Sequence, residues 1–273
     1  MQRVQSLDLA RGFTVLFMPA IHTVMLYSQP EIQQSVTGHI FAFIAEGPGA
    51  QLFMLIMGIM IHFSSSLNKK SVLQRAITLL VAAYVLNFLK FVVPLSLGAI
   101  PSNLLQELGL RHNMDAIIFF LSLGDILHFA AIAYPLIYFA SLLRYYQWWC
   151  IAFAIAIIIL APYTWDVNSK LIFVNYLLKL AGGHPPEVFF PLFPWLVYPL
   201  MGLSIGYWLR KYDVNSVFKW VGRVGFIILL ASLLFPATKV QTEWSSFYRT
   251  EAPDTLFTWD SFYFGLGASI GFI

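Results

Sequence analysis

Apolar runs long enough to cross a bilayer recur along the whole chain. A membrane-spanning helix needs about 20 predominantly apolar residues. Hydrophobic residues make up 59% of the 273 residues and charged residues only 11%, more apolar side chain than a soluble core could bury. We therefore predict an all-α, polytopic transmembrane helix bundle with seven full spans and a truncated eighth. The spans are predicted at residues 9–27, 40–63, 76–97, 116–143, 148–163, 188–209, 221–236 and from 255 onward.

Two of these runs contain residues that break helices. Gly124 and Asp125 interrupt the fourth run, so we expect a short re-entrant or interfacial helix before the span proper. In the second run, Glu46 precedes Gly-Pro-Gly at 47–49, which should end the helix. Broken helices within membranes often line a cavity, and Glu46 is therefore a candidate substrate contact.

Basic residues are unevenly distributed between the two ends of the predicted spans. If the N-terminus is cytoplasmic, ten lie on the cytoplasmic side: Arg3, Arg11, Lys69, Lys70, Arg75, Arg144, Arg210, Lys211, Lys219 and Arg223. Five lie on the opposite side: Arg111, Lys170, Lys179, Lys239 and Arg249. The positive-inside rule then predicts a cytoplasmic N-terminus. The longer loops, at 28–39, 98–115, 164–187 and 237–254, would face outward. No signal-peptide cleavage site follows the polar start, so we expect the first span to be retained.

Several partners and sites are not expected. The net charge is +3, but the basic residues form no continuous patch, so we expect no nucleic-acid partner. The single cysteine, Cys150, leaves no internal disulfide and no multi-cysteine metal site. His22, Asp125 and His128 could be drawn as metal ligands, but nothing in the sequence fixes their mutual distances, and we expect no metal.

Ionisable residues within spans are costly and are therefore candidates for function. Arg11 and His22 are eleven residues apart in the first span, which is about three helical turns or 16 Å of rise, so both lie on nearly one face. Asp8 lies one turn before Arg11 and could orient it. Pro19 should kink the helix below His22. The simpler alternative is that Arg11 anchors the cytoplasmic end and His22 hydrogen-bonds within the bundle.

Other candidates lie in later spans. Asp125 and His128 are three residues apart on one helical face, which favours either a functional acid–base or supporting pair or a buried hydrogen-bonded pair without function. Lys90 lies one turn after Asn87 and is a candidate phosphate contact, although such a lysine often extends to the nearer interface instead.

The first span opens Ser-Leu-Asp-x-x-Arg-Gly, and its arginine is followed after ten residues by histidine. Four later segments follow in a matching order: Ala-Gln-Leu-Phe-Met-Leu-Ile-Met-Gly at 50–58, Gly-Asp-Ile-Leu-His-Phe-Ala-Ala-Ile-Ala-Tyr at 124–134, Phe-Pro-Trp-Leu-Val-Tyr-Pro-Leu-Met-Gly at 193–202 and Tyr-Arg-Thr-Glu-Ala-Pro-Asp-Thr-Leu-Phe at 248–257. Together they resemble the transmembrane acyltransferase superfamily, in its heparan-α-glucosaminide N-acetyltransferase-like branch, which is related to the acyltransferase-3 proteins.

The resemblance implies an O- or N-acetyltransferase of a bacterial inner membrane. An acyl-CoA, most simply acetyl-CoA, would bind from the cytoplasm with its phosphates on Arg11, and His22 would act as general base or carry the acyl group. The acceptor would be an extracytoplasmic sugar or glycan, with Trp195 of the Phe-Pro-Trp motif as a contact. His39 competes with His22, because some members of this branch place their functional histidine in the first outer loop.

The resemblance also bears on length and assembly. Members of this branch have about ten or more spans, whereas this sequence stops at Ile273 inside an apolar run. We therefore expect one acyltransferase-like domain over residues 1–273 that is incomplete at its C-terminus. The sequence leaves open whether the protein forms a homo-oligomer.

Two other functional classes fit part of the pattern. A transporter of a small polar or anionic solute would also use intramembrane charges and broken helices, but the sequence shows no inverted repeat. A non-catalytic membrane scaffold is the second of these alternatives. Acyl-CoA turnover that depends on His22 would separate the enzyme from both.

Overall fold

A computed structural model describes residues 4–24, 28–44, 49–64, 67–164, 167–183 and 186–234. Within these ranges the regular structure is helical, apart from one isolated parallel bridge between Gly124 and Val188. The predicted all-α class is therefore confirmed. The predicted eighth span and Glu46 lie outside the described residues.

The helices follow one another with short connections. They are α1 (Gln5–His22), α2 (Pro30–Gln33), α3 (Val36–Ile44), α4 (Ala50–Met60), α5 (Lys69–Asn87), α6 (Val93–Ser96), α7 (Ser102–Glu107), α8 (Met114–Leu121), α9 (Ile126–Ser141), α10 (Tyr146–Thr164), α11 (Ile172–Gly182), α12 (Leu192–Trp195), α13 (Val197–Lys211) and α14 (Val214–Leu234). A π-helical segment, Phe88–Val92, joins α5 to α6.

The helices form two compact units along the chain. The first unit contains α1–α4, α13, α14 and residues 137–156 of α9 and α10. The second unit contains α5–α8, most of α9, the end of α10, α11 and α12. The prediction of a single acyltransferase-like domain stays a prediction.

The core of the first unit is the contact between α4 and α13. Leu52, Leu55 and Ile59 of α4 are fully buried, as is Leu203 of α13. Glycines let the two backbones approach closely: a Cβ atom added to Gly202 would lie 1.9 Å from the carbonyl oxygen of Leu55. Small residues at helix contacts are typical of membrane bundles, where packing substitutes for the hydrophobic effect between helices.

The second unit is built on its longest helix. The continuous segment Lys69–Ser96 begins with a capping box in which Asn68 and Ser71 satisfy each other's backbone N–H groups. In its most apolar stretch of 18 residues, only 22% is buried against other described residues. Apolar side chains such as Leu73 and Val81 are more than half exposed. Such a surface is stable against lipid and costly in water.

Among the described residues, two helices are long and apolar enough to cross a membrane, Lys69–Ser96 and Leu192–Lys211. Four shorter apolar helices lie at Ala50–Met60, Ile126–Ser141, Tyr146–Ala161 and Ile172–Gly182. The count of seven spans therefore stays a prediction. The expected interruption of the fourth run is confirmed, because α8 ends at Leu121 and α9 begins at Ile126.

The predicted outer loops contain more helix than expected. Residues 28–39 hold α2 and the start of α3, residues 98–115 hold α7, and residues 164–187 hold α11. Helix α11 has 11 residues, which span only about 16 Å. A search for runs of about 20 apolar residues overlooks helices of this length.

Asn87 ties α5 to the break between α8 and α9. It is buried, and its side-chain amide donates to the carbonyl oxygens of Leu121, at 3.2 Å, and Leu123, at 2.8 Å. Asn87→Leu would leave both carbonyls without this donor, and one buried unsatisfied polar group costs about 1–3 kcal/mol. We expect a lower unfolding temperature in detergent for Asn87→Leu. An unchanged unfolding temperature would show that these bonds contribute little.

Candidate active site

The break between α8 and α9 holds a hydrogen-bonded acid–histidine pair. Oδ1 of Asp125 accepts from the backbone N–H groups of Leu127, at 2.9 Å, and His128, at 3.2 Å, so the carboxylate caps the start of α9. The same oxygen lies 2.9 Å from Nδ1 of His128. The pair predicted from the i, i+3 spacing is therefore present, and the carboxylate serves both the helix end and the imidazole.

The contacts of His128 assign its tautomer. Nδ1 lies 2.9 Å from Oδ1 of Asp125 and 3.3 Å from the backbone nitrogen of Asp125, whose N–H points at it. We assign the hydrogen to Nδ1 from the shorter contact, because a carboxylate oxygen can only accept, and the longer contact is then not a hydrogen bond. Nε2 then has a free lone pair. His128 is completely buried, and in the described part of the chain Nε2 has no hydrogen-bond partner. A buried acceptor without a donor is rare in proteins and marks a site where a further group belongs.

Two tyrosines lie beside the imidazole. The ring of Tyr84 on α5 packs edge-on against that of His128, with centroids 5.0 Å apart. The hydroxyl group of Tyr84 lies 3.0 Å from that of Tyr176 on α11. Both tyrosines are half-buried. The cluster therefore combines a carboxylate, an imidazole and two phenol groups, the side chains that general acid–base chemistry uses.

A short backbone pairing holds the loop that carries Asp125. The N–H of Gly124 donates to the carbonyl oxygen of Glu187 at 2.9 Å, and the N–H of Phe189 donates to the carbonyl oxygen of Gly124 at 2.8 Å. A Cβ atom at Gly124 would lie 2.8 Å from a side-chain methyl group of Val188, so a larger residue there would require Val188 to shift. Glu187 also forms an ion pair with Lys179 of α11. These contacts fix the position from which Asp125 reaches the imidazole.

Three of the residues predicted for the donor side, Asp8, Arg11 and His22, lie in the first unit, on α1. The helix is continuous from Gln5 to His22, with Pro19 inside it. Arg11 is exposed and Asp8 half-buried. The predicted spacing of Arg11 and His22 along one helix is thus present. The side chain of His22 lies outside the described part of the structure, so its predicted direction stays a prediction.

Three other predicted residues have clear positions. His39 lies in α3 and not in a loop, is exposed, and its Nδ1 is 2.8 Å from the carbonyl oxygen of Ser35 one turn earlier. Lys90 is exposed, with Nζ 4.9 Å from the centroid of the Phe91 ring. Trp195 is buried and packs edge-on against Phe190, with centroids 4.9 Å apart. None of these positions by itself tests the predicted roles.

Tyr84 and Tyr176 were not predicted from the sequence as site residues. Tyr84 and Asn87 are polar, three residues apart and within an apolar run, which is a signal that could have been used. Tyr176 carries no such signal because it follows Tyr84 by 92 residues and α11 was not predicted. Among the described residues, no group of three or more His, Cys, Asp or Glu side chains is placed to hold a metal ion.

Comparison with known proteins identifies the family. No curated protein and no solved structure matches the chain. The family described as heparan-α-glucosaminide N-acetyltransferase, catalytic, matches residues 3–235, which include α1, the Asp125–His128 pair and α14. That match covers most of the chain and agrees with the resemblance found in the sequence motifs. The chain therefore belongs to the heparan-α-glucosaminide N-acetyltransferase catalytic family, a family of acetyltransferases.

Proposed function

We propose that this protein is an integral membrane enzyme that transfers an acetyl group from cytoplasmic acetyl-CoA to a sugar of an extracytoplasmic glycan. The observation that carries the proposal is the family match over residues 3–235. The apolar surface of Lys69–Ser96 supports a position in a bilayer, because the described residues cover little of that helix. Because the proposed donor is cytoplasmic and the proposed sugar is extracytoplasmic, the reaction requires residues that guide the acetyl group along a path through the bilayer.

On the donor side, Arg11 is proposed to bind the phosphates of acetyl-CoA. Its guanidinium is exposed, and a guanidinium binds phosphate oxygens in pairs. Asp8 lies on the preceding turn and would orient it. In the second unit, Lys90 is a separate candidate for a phosphate contact. His22 ends α1 about 16 Å further along, where it would meet the acyl group as base or as carrier.

Acetyl transfer is tested directly with the protein in nanodiscs. The donor is acetyl-CoA with a labelled acetyl group, and the acceptors are a glucosamine-terminated oligosaccharide for N-transfer and its N-acetylated form for O-transfer. We expect a labelled sugar product and free CoA in equal amounts. If the protein forms no product but moves the sugar or CoA across a sealed vesicle, the chain is a transporter and the proposal is wrong.

The proposed topology is tested with single cysteines. The native Cys150 is buried and is first replaced by serine. Lys170 precedes α11 and Lys69 begins α5, and both side chains are exposed. In intact cells, a membrane-impermeant maleimide should label Lys170→Cys and should label Lys69→Cys only after lysis. The reverse pattern would overturn the orientation and the direction of transfer.

A further inference from the structure

We propose that His128 is the general base on the acceptor side of this reaction, with Asp125 as the residue that positions its imidazole. Nε2 of His128 would take the proton from the hydroxyl or amino group of the sugar. The inference rests on the proposed function, because it assumes that a sugar is the acceptor. It assigns His128 a task different from that of His22 on the donor side.

The tautomer of His128 suits this task. Asp125 holds the hydrogen on Nδ1, so the lone pair on Nε2 is available to a proton donor. In Ser-His-Asp enzymes a carboxylate fixes the histidine in the same way, and it stabilises the imidazolium once the proton has moved. The capping bonds from Leu127 and His128 hold the carboxylate at the start of α9 and keep this arrangement rigid.

The missing partner of Nε2 indicates what kind of group binds there. The atom is buried and has no donor in the described part of the chain. A donor is needed, and a hydroxyl or amino group of a sugar supplies one. The hydroxyl pair of Tyr84 and Tyr176 adds groups that both donate and accept, as sugar hydroxyls require. The edge-on ring of Tyr84 lies directly against the imidazole.

The proposed step balances as follows. The oxygen or nitrogen of the sugar attacks the carbonyl carbon of the acetyl thioester, and its proton passes to Nε2 of His128. A C–O or C–N bond forms, and the C–S bond to CoA breaks. The thiolate leaves and accepts the proton held on Nε2, so that His128 returns to its starting state. The products are the acetylated sugar and CoA, and no oxidant or reductant is needed.

Asp125→Asn separates this role from a structural one. The asparagine oxygen can still cap α9 and accept from Nδ1 of His128, because Oδ1 makes all three contacts, but the neutral amide no longer stabilises the imidazolium that forms when the proton moves to Nε2. We expect kcat for transfer to the sugar to fall by about 10²–10⁴. The KM for acetyl-CoA and the unfolding temperature in detergent should stay near those of the wild type.

His128→Asn is the matched second variant. Its amide nitrogen can still donate to Asp125, but the ε position is gone. For both variants, transfer to hydroxylamine should fall by less than about tenfold, because this strong nucleophile depends little on a base. A purely structural defect would lower transfer to the sugar and to hydroxylamine alike.

Two results would overturn the inference: transfer to the sugar by Asp125→Asn within about threefold of the wild type, or equal losses for both acceptors in both variants. The proposed function would survive either result. Failure of the wild-type protein to acetylate any sugar would instead remove the proposed function and this inference with it.

Discussion

His22→Ala is expected to abolish acetyl transfer and to leave the folded protein largely intact. Helix α1 is continuous from Gln5 to His22, which places His22 about three turns from Arg11. In the proposed reaction, an acetyl group that enters beside Arg11 and leaves on the far side of the bilayer would pass along this helix. Loss of a general base or of an acyl carrier costs about 10²–10⁴ in rate, and the initial rate of labelled product measures it.

His39→Ala is the control for His22→Ala. His39 is exposed on α3, and its ring contacts a carbonyl oxygen of its own helix, so its loss should leave transfer within about threefold of the wild type. If His39→Ala is inactive and His22→Ala turns over normally, the donor site must move to α3. Hydroxylamine separates the two roles proposed for His22: loss of an acyl carrier lowers transfer to the sugar and to hydroxylamine alike, whereas loss of a base lowers transfer to the sugar most.

The all-α class, the break between α8 and α9 and the acid–histidine pair could be predicted from the sequence because they depend on composition and local spacing. The interruption at Gly124 and Asp125 follows from residue types that end helices, and the pairing of Asp125 with His128 follows from the i, i+3 geometry. Helix α11 was missed because its 11 residues are shorter than any span. The loop assignment of His39 was wrong for a similar reason: α3 begins at Val36, ahead of the apolar run.

The parts of the site that could not be predicted depend on contacts between distant segments. Gly124 is held by the backbone of Glu187 and Phe189, and Tyr84 meets Tyr176 across 92 residues. No local pattern encodes these pairings. They decide the environment of His128, and with it the burial of Nε2, which has no hydrogen-bond partner among the described residues.

The direction of the Lys90 side chain could not be predicted, because it depends on a π-helical segment that the sequence pattern does not reveal. Asn87 and Lys90 should share a face if the helix stays α-helical. The segment Phe88–Val92 is a π-helix, which has more residues per turn and changes the direction of each following side chain. Asn87 is buried, whereas Lys90 is exposed. Its proposed contact with phosphates therefore requires a donor that reaches this exposed position.

We expect that even the methyl group of alanine at Gly202 would disrupt the contact between α4 and α13. A Cβ atom there would lie 1.9 Å from the carbonyl oxygen of Leu55, and one at Gly58 would lie 2.1 Å from that of Pro199. Both obstacles are backbone atoms, so a side-chain rotation cannot relieve the clash and the helices must separate. Separation would also disturb the buried bond from Ser204 Oγ to the carbonyl oxygen of Gln147, at 2.9 Å.

Gly202→Ala should therefore destabilise the first unit by about 3 kcal/mol or more, since overpacking a tight core costs about 1–3 kcal/mol even where side chains can adjust. Gly222→Ala on α14 is the matched control, because a Cβ atom there meets no atom within 4 Å. In a helix, that substitution should be neutral or stabilise by about 0.5–1 kcal/mol. Thermal unfolding in detergent, followed by size-exclusion chromatography of a fluorescent fusion, compares the two. If Gly202→Ala unfolds within about 2 °C of Gly222→Ala, then α4 and α13 are not packed backbone to backbone.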